Sequence, residues 1–257
     1  MKIPKALKAR ICRTICNPAV GRAIAMAFHD RIPHKGFRIE TSHKRVDPWT
    51  KAALFWGNYE SSEIRFVNRY LNRDIDIVEL GCSIGVLSCH IRRLIDVSRQ
   101  LICVEAFSDL AEIARLNLAI NGFGDNVTVI ERAIDYDKGQ EFIELKVGER
   151  STGGHIGSPE GQKDRRTVQT STTTLSEITR RLGNREYGLI SDIEGAEAGF
   201  ILGAENALAG CRQIIIELHS TTHRDKAVTV EELIWSLTSV HGFVMRDRYG
   251  SCCVFDK

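Results

Sequence analysis

Ile75-Asp76-Ile77-Val78-Glu79-Leu80-Gly81-Cys82-Ser83-Ile84-Gly85 is the stretch whose reading decides the fold. A short, β-rich apolar run is followed at once by two glycines four positions apart. That pattern is a buried strand ending in a tight turn, with a helix opening from about Gly85 to Ile95. Working outward, short β-rich runs alternate with helical stretches: LICVEA (101–106) and a helix over 109–121, then VTVIERAI (127–134), EFIELKV (141–147) and TVQTSTTTL. YGLISDI (187–193), a helix over 196–208 and RQIIIELH (212–219) follow. Such alternation predicts a mostly parallel sheet with helices on both faces. Asp109 with Glu112 and Thr229 with Glu232 have capping-box spacing, and Tyr249-Gly250 joins FVMRDR to SCCVFD as a terminal antiparallel hairpin.

The 257 residues suffice for one α/β domain with an extension, and 43% hydrophobic content with 26% charge excludes a disordered or fibrous chain. The net charge of +2 conceals an asymmetry: residues 1–73 hold 15 basic and 5 acidic side chains, and residues 74–257 hold 20 and 28. We therefore expect a basic helical extension over 1–73 and a catalytic-type domain over 74–257. Ile3, Leu7, Ile11 and Ile15 put one face on a helix that Pro18 should stop, while Arg10, Arg13 and Arg22 interrupt any signal-peptide core. A solvated flank helix is the plain reading; the alternative is peripheral contact of residues 1–22 with an anionic membrane surface or acceptor. Residues 31–50 read as irregular connection, and helical spacing resumes over 51–71. Eight scattered cysteines without a CxxC pair suit buried, reduced thiols and a cytoplasmic setting. Gly148–Arg166 is polar and glycine-rich, a lid or a surface insertion.

Ligands of open α/β sheets bind at the carboxyl ends of the strands, so Gly81 and Gly85 stand where a backbone must approach a ligand. Glu105 ends the second strand, 20 residues after Gly85, where a carboxylate accepts from both hydroxyls of a ribose. Position 83 is Ser and position 86 is Val, which breaks the dinucleotide pattern, and no Lys-Ser/Thr completes a P-loop. An adenosyl ligand without phosphates fits better. S-adenosyl-L-methionine would offer its ribose to Glu105, its adenine to Ala106 and Ala133, and its amino-acid tail to the turn of Gly81, Cys82 and Ser83, with Glu79 facing the ammonium. Tyr59 and Glu60, just before the core, are placed to fold over it. The plain alternative is an ordinary strand–helix turn.

The stretches GNYE (57–60), VELGCSIGVLS (78–88), VEAFSDLAEIARLNLAINGF (104–123), TTTLSEI (172–178), SDIEGAEAGFILGAENAL (191–208) and IIIELH (214–219) resemble the FkbM family of S-adenosylmethionine-dependent methyltransferases over roughly residues 55–255. The resemblance implies a Rossmann-like class I methyltransferase fold and methyl transfer, usually O-methylation of a hydroxyl on a sugar, glycan or natural product. One departure is Ile190, where family members commonly carry Lys.

Methyl transfer is an in-line displacement, so much of its catalysis is positioning, and a hydroxyl acceptor also gains from losing its proton. Asp192 and Glu194 follow the fourth strand and Glu217 and His219 end the fifth; all four should line one mouth. Asp192 is the first candidate for positioning or deprotonating the acceptor, with Glu217 or His219 as alternative bases. Glu194 and Glu197 could equally be helix N-terminal acids. A metal held by Asp192, Glu217, His219 and His223 is the less favoured reading, and no metal is expected. Among rivals, an RNA methyltransferase is supported by the basic first third, but SDIEG stands where base methylases carry a Pro-Pro-aromatic element. A non-catalytic S-adenosylmethionine-binding module and a dehydrogenase are the others. A small-molecule or glycan acceptor is expected.

Overall fold

The computed structural model describes residues 15–136, 141–146, 167–183, 185–203 and 206–257. The basic start through Arg13 and the Gly148–Arg166 loop lie outside them. The helix expected to end before Pro18 lies, up to Ile15, outside the described residues; Ile15 is helical, Cys16 and Asn17 are not, and Pro18 opens α1 (Pro18–Phe28), which Asn17 caps by accepting from the amides of Ala19 and Val20, with Pro18 in the first position, where no amide is needed. Of residues 31–50, expected to be irregular, only 41–47 form an irregular connection. β1 (Arg31–His34) and β2 (Phe37–Glu40) pair through the turn Lys35-Gly36, both at positive φ as a twisted two-residue hairpin requires. The helical stretch over 51–71 is two helices, α2 (Pro48–Phe55) and α3 (Ser61–Tyr70), because Gly57 and Glu60 both take positive φ between them.

From β3 (Asp76–Leu80) the chain alternates as expected: α4 (Val86–Leu94), β4 (Leu101–Glu105), α5 (Ser108–Ile120) and β5 (Val127–Glu131). The N-cap of α5 is Phe107 rather than Asp109. Asp109 lies in the first turn, ion-paired to Arg45 at 3.0 Å, so the expected capping box is not formed. VTVIERAI breaks after Glu131, and β6 (Ala133–Ile134) leaves to pair with β8 (Thr167–Thr173), which also pairs with β7 (Phe142–Lys146). The short α6 (Leu175–Thr179), β9 (Tyr187–Ser191), α7 (Glu197–Leu202) and β10 (Cys211–Glu217) follow; α7 stops at Gly203 instead of running to 208. An unanticipated hairpin, β11 (Thr221–His223) with β12 (Lys226–Val228), precedes α8 (Val230–Trp235), whose Thr229–Glu232 capping box is complete. β13 (Val244–Tyr249) and β14 (Cys252–Asp256) close the chain.

The main sheet has seven strands in the order β13-β14-β10-β9-β3-β4-β5. β10, β9, β3, β4 and β5 are parallel, and β14 runs antiparallel to β10 and β13. Chain order reverses between β3 and β9, and the C-terminal edge there is the switch point where such sheets bind ligands. Strand side chains alternate between two buried layers. Ile77, Cys103 and Ile215 join the layer under α3, α4 and α5, whereas Val78, Val104 and Ile216 join the one under α6, α7 and α8. Glu79, Glu105 and Glu217 have the parity of the first group, so three strand-end carboxylates are delivered to one face, the face that α3 covers. Residues of the N-terminal segment, including Ile32, Ile39 and Leu54, belong to that same buried layer. Asn117 ties them to the sheet: its amide donates to the Ile84 carbonyl at 2.8 Å and its oxygen accepts from Glu40 N at 2.7 Å. The seven cysteines among the described residues are buried, and none of them forms a disulfide. Among these residues no helix is long and apolar enough to cross a membrane.

Candidate active site

A cleft of about 430 Å³ opens at the switch point, between the ends of β3, β4 and β9 and the start of α3. Gly81 makes it possible. Its φ of +83° is costly for any other residue, and a Cβ there would lie 2.0 Å from the Asp192 carbonyl oxygen, so the turn after β3 presses directly on the turn after β9. Ser83 also sits at positive φ, and its amide donates to Glu105 Oε2 at 2.8 Å. Phe107 N donates to Oε1 at 3.0 Å. Burial raises the Glu105 carboxyl pKa while these backbone donors pull it down. Each carboxylate oxygen accepts more than one bond, so the two oxygens keep acceptor capacity toward the cleft.

Of the residues the sequence singles out for a cofactor, Tyr59, Gly81, Ser83, Glu105, Ala106 and Ala133 line the cleft. The Tyr59 and Ser83 hydroxyls lie 3.2 Å apart, which fixes the ring over the turn. Three others stand elsewhere. Cys82 is 1% exposed, and its thiol interacts with Cys103 beneath the turn. Gly85 faces Ala114 of α5, where a Cβ would come within 2.9 Å of Cα, so it serves helix packing. Glu79 points behind the turn, into a chamber of about 20 Å³ that adjoins the cleft. There it accepts from Ser88 Oγ at 2.5 Å and from Cys103 Sγ at 3.2 Å, Oε1 has no partner, and burial pushes its pKa up to about 7. Phe107, Leu110, Ile134 and Leu145 extend the apolar wall that Ala106 and Ala133 begin.

The segment after β9, Asp192-Ile193-Glu194-Gly195-Ala196-Glu197, is organised by its last residue. Glu197 is fully buried and accepts from Ile193 N and Gly195 N, both at 2.8 Å. Gly195 is required at φ +107°, and a Cβ there would meet Thr221 Oγ1 at 2.9 Å. Glu197 thus curls the loop so that Asp192 and Glu194 face the cleft. The Asp192 carboxyl is pushed up to about 8 by burial and by the nearby charges of Glu217 and Glu194, and its Oδ1 has no hydrogen-bond partner.

His219 does not share that mouth. It sits behind the acids, 3.5 Å from Glu194, 3.6 Å from Glu197 and 4.0 Å from Glu217. Burial alone would lower its pKa, but Glu197, Asp192 and Glu194 outweigh it and hold the imidazole protonated above its ordinary value. Asp192, Glu197 and His219 each bring one ligand-type atom within 4.8 Å of the others. Glu197 thus takes the place that the sequence reading of a metal gave to Glu217 and His223. Glu63, in the first turn of α3, lines the cleft and was missed from sequence, because the break at Glu60 that turns this helix start toward the cleft leaves no periodic signal.

A parallel sheet in this order with a closing antiparallel strand, a glycine turn at the switch point and a ribose-type carboxylate on the next strand defines a Rossmann-like class I methyltransferase. The profile of the methyltransferase FkbM domain matches residues 88–245, so the chain belongs to the FkbM methyltransferase family. The cofactor of that family is S-adenosylmethionine. Among solved structures, an O-methyltransferase from Bacillus cereus in complex with S-adenosylhomocysteine is similar at 15% identity over 76% of this chain and 79% of that one, with a TM-score of 0.41. Fibrillarin from Aeropyrum pernix with bound S-adenosyl-L-methionine is similar at 12% identity over 76% and 72%, also at 0.41. No curated protein matches the chain significantly.

Proposed function

We propose that this chain is an O-methyltransferase that moves the methyl group of S-adenosylmethionine to a hydroxyl of a sugar, glycan or natural product. One observation carries the reading: Glu105 and Asp192 line a single cleft on either side of Gly81. In it, Glu105 takes the ribose hydroxyls, the apolar wall takes the adenine, and the turn at Gly81 and Ser83 receives the amino-acid tail. The cofactor supplies an electrophilic methyl on a sulfonium. The chain's own groups do the rest: they hold the acceptor oxygen in line and take its proton. Asp192 is suited to the second task, because a carboxylate with a raised pKa is a stronger base toward an alcohol than an ordinary one. Glu217 is the alternative base, and His219, protonated behind the acids, acts as the positioning residue for Glu194 and Glu217.

Metabolite extracts from matched strains with and without the gene, compared by mass spectrometry, test the reading. A compound heavier by one CH₂ on oxygen, present only with the gene and produced by purified protein plus S-adenosylmethionine, is expected. Purified protein that binds the cofactor yet methylates no fraction of the extract would overturn it in favour of a binding module.

A further inference from the structure

α1 is a surface helix without a polar face. Seven of its eleven residues are exposed, yet Arg22 is its one charged side chain; Ala19, Ala23 and Ala27 are among the exposed residues, and Met26 is 78% exposed. A helix that borders water ordinarily turns charged or polar residues outward. α1 lies beside α2, with Gly21 against Pro48 at one end and the rings of Phe28 and Phe55 5.5 Å apart at the other, so the two helices run parallel. α2 adds Trp49 and its C-cap Trp56, whose spacing puts both on one helix face; they are 41% and 47% exposed. Phe55 meets Trp56 edge to face at 5.1 Å, which makes Phe28, Phe55 and Trp56 a continuous aromatic strip across both helices. The charge around this apolar surface is positive. Six basic residues precede the first acid of the chain, Asp30. Asp30 and Glu40 are ion-paired to Lys51 and Arg31, and Asp47 is spent on capping α2. Arg22 stands on α1 itself, and Lys35 lies against the turn after Trp56, where a Cβ on Gly57 would meet its Cε at 3.2 Å.

We propose that α1 and the tryptophan face of α2 seat this chain on an anionic lipid surface. Met26, Trp49 and Trp56 enter the boundary between headgroups and acyl chains, where an indole places its apolar body and its N–H at once. Arg22 and Lys35 lie against the headgroups, and the charge of the basic residues ahead of Asp30 adds to the attraction. A second copy seated on the same face would bring two positively charged segments together, whereas anionic headgroups neutralise them, so charge selects lipid over self-association. The contact lies on the bilayer and needs no crossing helix. Trp49 also lines the cofactor cleft, so the docked face borders the site. The inference is independent of which group is methylated.

The test is co-sedimentation of the full chain with vesicles of phosphatidylcholine alone and of phosphatidylcholine with about a third phosphatidylserine. Binding to the anionic vesicles should be roughly tenfold tighter or more, and should weaken as salt is raised. M26S/W56S, which removes apolar surface and no charge, should lose roughly tenfold of that affinity. A23D, an exposed position on α1, should lose at least as much, and it keeps the test open if the double variant melts early. Brominated acyl chains should quench the emission of W235F, whose remaining indoles are Trp49 and Trp56. Equal binding to charged and uncharged vesicles, affinity untouched in both A23D and M26S/W56S, or unquenched W235F would overturn the proposal. So would a dimer in sedimentation that these variants break, or an RNA oligonucleotide bound in preference to the anionic vesicles.

Discussion

Single residues carry the division of labour in the cleft. Asp192→Asn keeps shape and hydrogen-bonding reach but cannot take a proton; its turnover should fall by roughly 10²–10⁴. Cofactor affinity, measured separately by calorimetry, should stay essentially that of the wild type. Glu105→Ala should do the opposite, weakening the cofactor by about 10–100-fold through loss of charged hydrogen bonds to the ribose. A variant pair with these effects exchanged would reverse the assignment. Both residues were legible in the sequence, because a strand end and a glycine turn fix which positions reach the switch point. Glu79 was legible as an acid near the turn, but its destination was not: whether it faced the cleft or the chamber behind depended on Ser88 and Cys103, which approach from other elements. Cys82 and Gly85 were misplaced for the same reason, since proximity in sequence to the turn says nothing about which neighbour fills the space beneath it.

At the scale of elements, β3 and the loop after β9 hold the site together. Ile77 is fully buried in the middle of the sheet, so Ile77→Ala should cost about 2–5 kcal/mol in urea denaturation, by lost burial and a cavity. Glu197→Ala would strand two amides that it now satisfies, Ile193 N and Gly195 N. It should cost about 2–4 kcal/mol and also lower turnover, because Asp192 would lose its fixed direction. Stability lost with turnover unchanged would separate the loop from catalysis. The alternation of strands and helices, the terminal hairpin and the Thr229–Glu232 cap were readable because each is a local pattern. The β1–β2 hairpin was hidden by Pro33 and Gly36, residues that usually mark loops, and its pairing is supported from a distance by Asn117 and Asn121, 77 and 83 positions along the chain. The helix over 51–71 breaks for a related reason: Tyr59 and Glu60 are turned over the cleft, a tertiary demand that periodicity does not record.

Across the whole molecule, the concentration of raised carboxyl pKa values makes stability and activity move oppositely with pH. Glu79, Glu63 and Asp192 hold their protons more tightly in the folded state than in the unfolded chain. Their contribution is therefore present below the unfolded carboxyl value and is lost as pH rises toward about 8. His219, also raised, contributes fully below its unfolded value and loses that as pH climbs through its folded one. Melting temperature should fall between pH 5 and pH 9, and more shallowly in Asp192→Asn. With Asp192 as the proposed base, turnover should rise with pH through about 8 in the wild type. A melting temperature that rises across this range would contradict the burial of these acids.

Titration of S-adenosylmethionine into the wild-type chain and into Glu105→Ala by calorimetry is the most direct measurement. One site per chain in the wild type, weakened at least roughly tenfold in the variant, is the result expected of a cleft that grips the adenosyl sugar through Glu105. Equal affinity in the two proteins, or no binding in either, would contradict it.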